Sequence, residues 1–150
     1  MKIYLGADHG GFKLKEEIKK WLAANNFEYE DLGAHSVVAD DDYPDYAYPV
    51  AKKVAASSES FGILACRSGQ GECIVANKVT GVRGALAWNT RTAFSARNDD
   101  NANILCLPAD YLTSETALAM VKTFLQTKFS PEERFTRRLN KVNQIDHQLN

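Results

Sequence analysis

Short apolar runs alternate with amphipathic stretches along the whole chain. The runs at 2–7, 27–32, 61–66, 81–88 and 103–107 have the length and composition of buried β-strands. Between the first two, Leu14, Ile18, Trp21 and Leu22 recur at the spacing of one helical face. This alternation predicts a five-stranded parallel sheet with helices on both faces and right-handed crossovers.

The last predicted helix has the clearest start signal. Ser130-Pro131-Glu132-Glu133 supplies an N-cap serine, a proline in the first turn and a glutamate at the third position. An apolar stripe follows, formed by Phe135, Leu139, Val142 and Ile145. We therefore expect a helix over about 131–146 and then a short frayed tail.

Ligands on parallel sheets bind beyond the carboxyl ends of the strands, so the residues that follow each strand are the candidates for chemistry. Asp8 and His9 follow the first strand, and Cys66 ends the third. After Cys66, Gly69 and Gly71 lead into a helix whose backbone amides favour an anion or a developing oxyanion.

Two side chains of this loop are candidate bases. The helix field would lower the pKa of the Cys66 thiol and favour the thiolate. The alternative interpretation is a small buried side chain, as for most free cysteines. Glu72 competes as a base, but an acidic residue in a first helical turn is also ordinary dipole complementation. Gly69 and Gly71 alone do not form a dinucleotide fingerprint.

Composition limits the class of protein. The 150 residues carry a net charge of −1, and 45% are hydrophobic, which predicts one domain over 1–150 and no affinity for nucleic acid or membrane. Met1 leads directly into a strand, so we expect no signal peptide. Three cysteines without metal-ligand spacing favour reduced thiols and a cytoplasmic location, and three scattered histidines do not suggest a metal site.

Five motifs, in order, resemble the ribose-5-phosphate isomerase B family, which includes the galactose-6-phosphate isomerase subunits. They span essentially the whole chain. The motifs are GADHGGFKLKEEI at 6–18, DYPDYA at 42–47, GILACRSGQGECIVANK at 62–78, NANILCL at 101–107 and RFTRRLNKV at 134–142.

The resemblance implies a Rossmann-like three-layer α/β/α sandwich and aldose–ketose isomerisation of a sugar phosphate through an enediolate, without cofactor or metal. It also implies a homodimer or dimer of dimers with sites at the subunit interface. Carried over by position, Cys66 is the favoured base and Glu72 the second candidate. The other implied roles are sugar binding or opening by Asp8, His9 and Tyr43, enediolate stabilisation by Ser68 with the amides of Gly69 to Gly71, and phosphate binding by Arg134 and Arg138.

This sequence departs from the family pattern at several positions. Asp99 and Asp100 replace a histidine and an asparagine, and Asp110 stands where an arginine is common. Arg67 follows the cysteine where the family has a small residue. Our hypothesis is that Arg67 pairs with Asp99 or Asp100 or takes over a phosphate contact, while a carboxylate, Asp99, replaces the histidine in ring opening.

Three functions are consistent with these residues. The first is isomerisation of ribose 5-phosphate, and the second is the same reaction on a tetrose or hexose phosphate. The third is a catalytically weak sugar-phosphate-binding regulator, because the ring-opening histidine is missing. The presence of Cys66, Glu72, Ser68 and both terminal arginines argues against the third.

Overall fold

The computed structural model describes residues 1–148 and contains a five-stranded, all-parallel sheet with the strand order β2-β1-β3-β5-β4. The strands are β1 (Lys2–Ala7), β2 (Glu28–Asp31), β3 (Ser60–Cys66), β4 (Gly84–Leu86) and β5 (Ile104–Pro108). The helices are α1 (Phe12–Ala24), α2 (Pro44–Ala55), α3 (Gln70–Ala76), α4 (Thr90–Asn98), α5 (Ser114–Gln126) and α6 (Glu133–Gln148). The predicted three-layer α/β/α architecture is confirmed.

Alternate residues of the central strands point into two cores, one on each side of the sheet. Ile63 and Ala65 of β3 pack in the core formed with α1, α4 and α5, and Leu64 packs against α2 and α3. Because both faces are covered, these strands are almost continuously apolar, as the sequence suggested.

The strand boundaries differ most from prediction at β4. The apolar pattern extends over 81–88, but the paired strand covers only Gly84–Leu86. This strand lies at the edge of the sheet and pairs with β5 over residues 104–106. An edge strand ends where its hydrogen bonds to the neighbouring strand end, and the hydrophobic pattern of the sequence does not show where that is.

The last helix starts two residues later than predicted. Its first turn is closed by the Thr136 amide donating to the Glu132 carbonyl, so Ser130 is not the N-cap. The Ser130 amide instead donates to the carbonyl of Asn98, and its Oγ accepts from the Glu132 amide. That tie to the end of α4 holds the chain outside the helix. The helix runs to Gln148, and the part of the predicted tail at 149–150 lies outside the described residues.

Candidate active site

The strand order places a cleft between the carboxyl ends of β1 and β3. The chain leaves β1 toward β2 on one side and continues to β3 on the other, which is the topological switch point where parallel sheets bind ligands. Ala7 pairs with Ala65, so the next residues, Asp8 and Cys66, are neighbours at this edge. The sequence predicted both as candidates, and the register brings them together.

The turn after β3 wraps around the Cys66 thiol. Gly69 has φ +71°, and a Cβ there would lie 2.6 Å from Leu86 Cδ1 and 3.0 Å from the backbone of Leu107. Only glycine fits this left-handed, crowded position. The Gly69 amide donates to Cys66 Sγ at 3.1 Å. Ser68, half-buried beside it, accepts from the Gln70 amide at 3.4 Å.

Glu72 is the most perturbed acid of this cleft. It is 0% exposed, and neither carboxylate oxygen has a hydrogen-bond partner within the described chain. Burial, followed by the charge of Asp8, raises the pKa of Glu72 well above its ordinary value. A residue that served only the helix dipole would be exposed, so Glu72 has the environment of a functional carboxyl.

We expected the helix to lower the pKa of the Cys66 thiol, and this prediction is wrong. The residue is 5% exposed, and burial, together with the charge of Glu72, raises the pKa of its thiol above the usual value. The amides of Gly69 and Glu72 act in the opposite direction but are outweighed. Burial therefore works against formation of the Cys66 thiolate.

Asp8 and His9 are held by separate hydrogen bonds at the end of β1. Asp8 Oδ1 accepts from the amides of Gly10 and Gly11 at 2.9 and 3.1 Å. His9 is bound by Asp41, whose Oδ1 accepts from the His9 amide at 3.0 Å and lies 2.6 Å from His9 Nδ1. We call the set of Asp8, His9, Asp41, Cys66 and Glu72 the carboxyl-edge cluster.

Three members of this cluster have the spacing of metal ligands. Asp8, His9 and Asp41 each offer an atom, and these atoms lie within 4.8 Å of one another. However, His9 Nδ1 already bonds to Asp41, and Asp8 Oδ1 already accepts two amides. We therefore assign these three residues to hydrogen bonding rather than to metal binding.

The loop before α2 folds over the same edge. Asp41 reaches His9 from this loop, and Tyr43 packs its ring against the start of α3, where a Cβ on Gly71 would lie 2.8 Å from it. The sequence prediction of Tyr43, Gly69 and Gly71 near Cys66 therefore agrees with their positions.

Arg67 pairs with a residue other than those we expected. Its Nη1 lies 3.7 Å from Asp110 Oδ2, and the Asp110 amide donates to the Arg67 carbonyl at 3.0 Å. Within one protomer Asp99 and Asp100 lie at the other edge of the sheet from Arg67, so the expected pairing stays a prediction for a site formed by two protomers. The Arg67 side chain is 70% exposed and lies beside Gly10, next to the carboxyl-edge cluster.

The other predicted site residues gather at the amino-terminal edge of the sheet. The segment 99–103 enters the start of β5, and α6 begins beside it through the bond between Ser130 and Asn98. Burial and Asp99 raise the pKa of Asp100, while the charge of Arg138 opposes them. We call the set of Asp99, Asp100, Arg134 and Arg138 the amino-edge cluster.

The two clusters are separated by the length of the sheet. At about 3.3 Å per residue, the seven residues of β3 span roughly 20 Å. One protomer therefore does not bring Arg134 or Arg138 to Cys66 and Glu72. Arg134 is ion-paired to Glu132 at 2.9 Å, and both arginines are exposed.

Sequence reasoning missed Asp41. It is the middle one of three consecutive aspartates, and nothing in the pattern distinguishes it from Asp40 or Asp42. Only the folding of the loop onto His9 reveals which carboxylate points inward.

The fold and the carboxyl-edge cluster define a Rossmann-like α/β protein with acid–base groups at its switch point. No helix in residues 1–148 is long and apolar enough to cross a membrane. Residues 3–142 match the model of the Ribose/Galactose Isomerase family. The chain belongs to this family.

Individual relatives agree with that assignment. The chain is 42% identical to ribose-5-phosphate isomerase B of Mycolicibacterium paratuberculosis, over 93% of this chain and 88% of that protein. The structure of ribose-5-phosphate isomerase B from Mycoplasma genitalium, with bound ribulose-5-phosphate, superposes with a TM-score of 0.94 at 40% identity, covering 98% of this chain and 97% of that one. The Clostridium thermocellum ribose-5-phosphate isomerase B structure also gives 0.94, at 38% identity and full coverage of both chains.

Proposed function

We propose that this protein is an aldose–ketose isomerase that interconverts ribose 5-phosphate and ribulose 5-phosphate through a single isomerase domain. The observation that best supports this proposal is the buried Glu72 carboxyl beside Asp8 and Cys66 at the switch point of the sheet. Family membership and relatives named ribose-5-phosphate isomerase B supply the substrate class.

The chemistry needs one base and several hydrogen-bond donors. The base takes the proton from C2 of the open aldose and returns it to C1, while donors stabilise the charge on the two oxygens of the enediolate. Ser68 and the amides of Gly69 to Gly71 lie on the turn beside Cys66 and are the donors we assign. This mechanism requires no cofactor or metal.

The pKa directions favour Glu72 over Cys66 as that base. A raised pKa makes the Glu72 carboxylate a stronger base than an ordinary carboxylate. The pKa of the Cys66 thiol is raised as well, and for a thiol this shift disfavours the reactive thiolate. We assign proton transfer to Glu72, and Cys66 serves as the wall of the pocket next to it.

We further propose that two copies of the chain form each site. If Arg134 and Arg138 bind the phosphate of the substrate, the substrate must reach the amino-edge cluster, in which both arginines lie. A homodimer in which the amino-edge cluster of one protomer meets the carboxyl-edge cluster of the other satisfies that requirement. Helix α6 offers apolar surface for such packing, because Val142 and Ile145 are exposed. A cytoplasmic location is consistent with the free thiols.

Solvent exchange tests the function directly. The purified protein is incubated in D2O with aldose phosphates of four to six carbons, and deuterium at C2 is followed by NMR. We expect exchange and ketose formation, fastest with ribose 5-phosphate. Faster exchange with a tetrose or hexose phosphate would reassign the substrate, and exchange with none would leave only a binding role.

A further inference from the structure

A cavity of about 290 Å³ lies at the amino-terminal edge of the sheet, at the opposite end from the carboxyl-edge cluster. Its lining comes from residues that precede or begin three strands, among them Ser60 for β3, Arg83 for β4 and Asn103 for β5. Ligand pockets in proteins start at roughly 300 Å³, so this cavity has room for one small molecule. No acidic residue is among the described residues that line it.

Arg97 of α4 lines this cavity although it is only 8% exposed. Its Nη1 donates to the Ala102 carbonyl at 2.6 Å and to Asn101 Oδ1 at 2.8 Å, and its guanidinium lies 4.7 Å from the centre of the Phe61 ring. These partners are all neutral, and Nε has no hydrogen-bond partner within residues 1–148. Arginines are rarely buried to this degree unless their charge is paired, so the charge of Arg97 lacks its usual compensation.

Arg83 brings a second guanidinium to the same cavity. Its Nε donates to the Asn101 carbonyl at 2.9 Å, and its Nη1 donates to the Gly81 carbonyl at 3.3 Å. Burial, followed by the charge of Arg83, lowers the pKa of Arg97 to about 10, which still leaves Arg97 charged at neutral pH. Two like charges therefore act on each other here, and we call the space that they line the arginine cavity.

A carboxylate from α6 approaches the Arg83 side of the arginine cavity. Asp146 Oδ2 accepts from the Gly81 amide at 2.9 Å. Burial lowers the pKa of Arg83, and the charge of Asp146 opposes that shift. This edge of the sheet thus already accommodates one anionic group, which offsets part of the positive charge.

Hydroxyl groups line the solvent side of the arginine cavity. Ser57 and Ser58 are both exposed and belong to the lining. Ser57 Oγ accepts from the Glu59 amide at 3.3 Å, which leaves its hydroxyl hydrogen to donate. An anion that enters from solvent therefore meets hydroxyl donors first and the two guanidinium groups behind them.

We propose that the arginine cavity binds a small phosphate, either inorganic phosphate or the phosphate group of a small ester. Guanidinium groups form strong, charge-assisted hydrogen bonds to phosphate oxygens, and hydroxyl groups add further donors. The site is separate from the phosphate contacts proposed for Arg134 and Arg138, since neither of these residues lines the cavity. The inference does not depend on isomerase activity.

Calorimetric titration of the full chain with inorganic phosphate tests the proposal, with chloride keeping the ionic strength constant. The background carries Arg134→Ala and Arg138→Ala, which removes the phosphate contacts proposed for the substrate. We expect one phosphate to bind per chain, and Tm to rise by about 3–5 °C at a phosphate concentration about ten times Kd. Adding Arg83→Gln should weaken phosphate binding at least about 10-fold.

A second variant keeps the proposal testable if Arg83→Gln does not fold. Ser58→Glu places a carboxylate on the solvent side of the arginine cavity, where it repels phosphate and competes for the guanidinium groups. Because Ser58 is exposed, the fold tolerates this change. We expect Ser58→Glu to weaken phosphate binding at least about 10-fold, and the uncharged Ser58→Gln to stay within about twofold of the background.

Arg91→Gln is the matched control, because it removes an equal charge from an exposed position of α4 and should leave Kd within about twofold. Tighter binding of glycerol 3-phosphate or a nucleoside monophosphate would identify an ester as the ligand, whereas weaker binding would identify inorganic phosphate. Absence of saturable phosphate binding would overturn the proposal. An unchanged Kd in both Arg83→Gln and Ser58→Glu would overturn it as well.

Discussion

The two edges of the sheet carry charged clusters of opposite character. At the carboxyl edge, Asp8, Cys66 and Glu72 are buried, and the pKa values of Cys66 and Glu72 are raised. At the amino edge, Arg134 and Arg138 are exposed on a helix surface. Burial adjusts proton affinity, whereas exposure leaves a charge free to meet a ligand or a second chain. The difference divides the proposed reaction into proton transfer at one edge and phosphate binding at the other.

The largest expected effect is at Glu72. Glu72→Gln should lower kcat for ribose 5-phosphate by at least about 10³-fold, because it removes the proposed base without changing its shape. Cys66→Ser is the matched comparison and should cost less than about fivefold. Ribulose 5-phosphate formation measures both. A larger loss in Cys66→Ser would transfer the role of base to the thiol.

Mixing two variants that are each inactive at ribose 5-phosphate concentrations well below the wild-type KM tests whether the two edges cooperate across protomers. Arg134→Ala combined with Arg138→Ala should raise KM about 100-fold through loss of the phosphate contacts. Unfolding and refolding this variant together with Glu72→Gln should restore about one quarter of wild-type activity. Half of the dimers then contain one copy of each variant. In each of these mixed dimers, one of the two sites combines an intact Glu72 with intact arginines, so about one quarter of all sites are active.

The matched control for this mixing is Glu72→Gln refolded with itself. Activity no higher than that of the separate variants would contradict a site shared between protomers. The mass of the native protein, measured by light scattering, checks that a dimer is present in every sample.

The stability of Glu72→Gln should depend on pH. The folded pKa of Glu72 lies above its unfolded value, so the folded state binds this proton more tightly and loses stability as pH rises through the folded pKa. Glutamine is uncharged throughout. At pH 8 the variant should melt about 2–4 °C higher than wild type, the shift that roughly 1 kcal/mol produces in a chain of this size. At pH 4 the variant and wild type should melt at the same temperature. A lower Tm at pH 8 would mean that Glu72 is a stabilising structural group.

The smallest effect concerns Arg67, at the rim of the carboxyl-edge cluster. Its ion pair with Asp110 is exposed and contributes about 0–1 kcal/mol, so Arg67→Ala should leave Tm nearly unchanged. If its guanidinium contacts the substrate, KM should rise about three- to tenfold with kcat retained. Asp110→Asn, which frees Arg67, should leave KM equal or lower it. Unchanged KM and kcat in Arg67→Ala would mean that the side chain is a surface residue.

Much of the fold could be read from hydrophobic periodicity, because strands covered on both faces are apolar throughout. β1 was predicted with its bounds, and Cys66 was correctly identified as the end of β3. The start of α6 was predicted two residues early, since capping residues report local preference and not the bond that ties Ser130 to Asn98. The pKa direction of Cys66 was predicted wrongly, because burial depends on what packs around the thiol.

By itself, the sequence determined the alternation of strands and helices, the apolar faces and the residues that follow each strand. Those features depend on neighbours along the chain and on the chemistry of single side chains. The tertiary structure alone decided that Asp41 meets His9, that Arg67 meets Asp110 and that the Glu72 carboxylate is buried with no hydrogen-bond partner among residues 1–148. These contacts join residues distant in sequence, or depend on what encloses a side chain, so strand order and loop folding decide them.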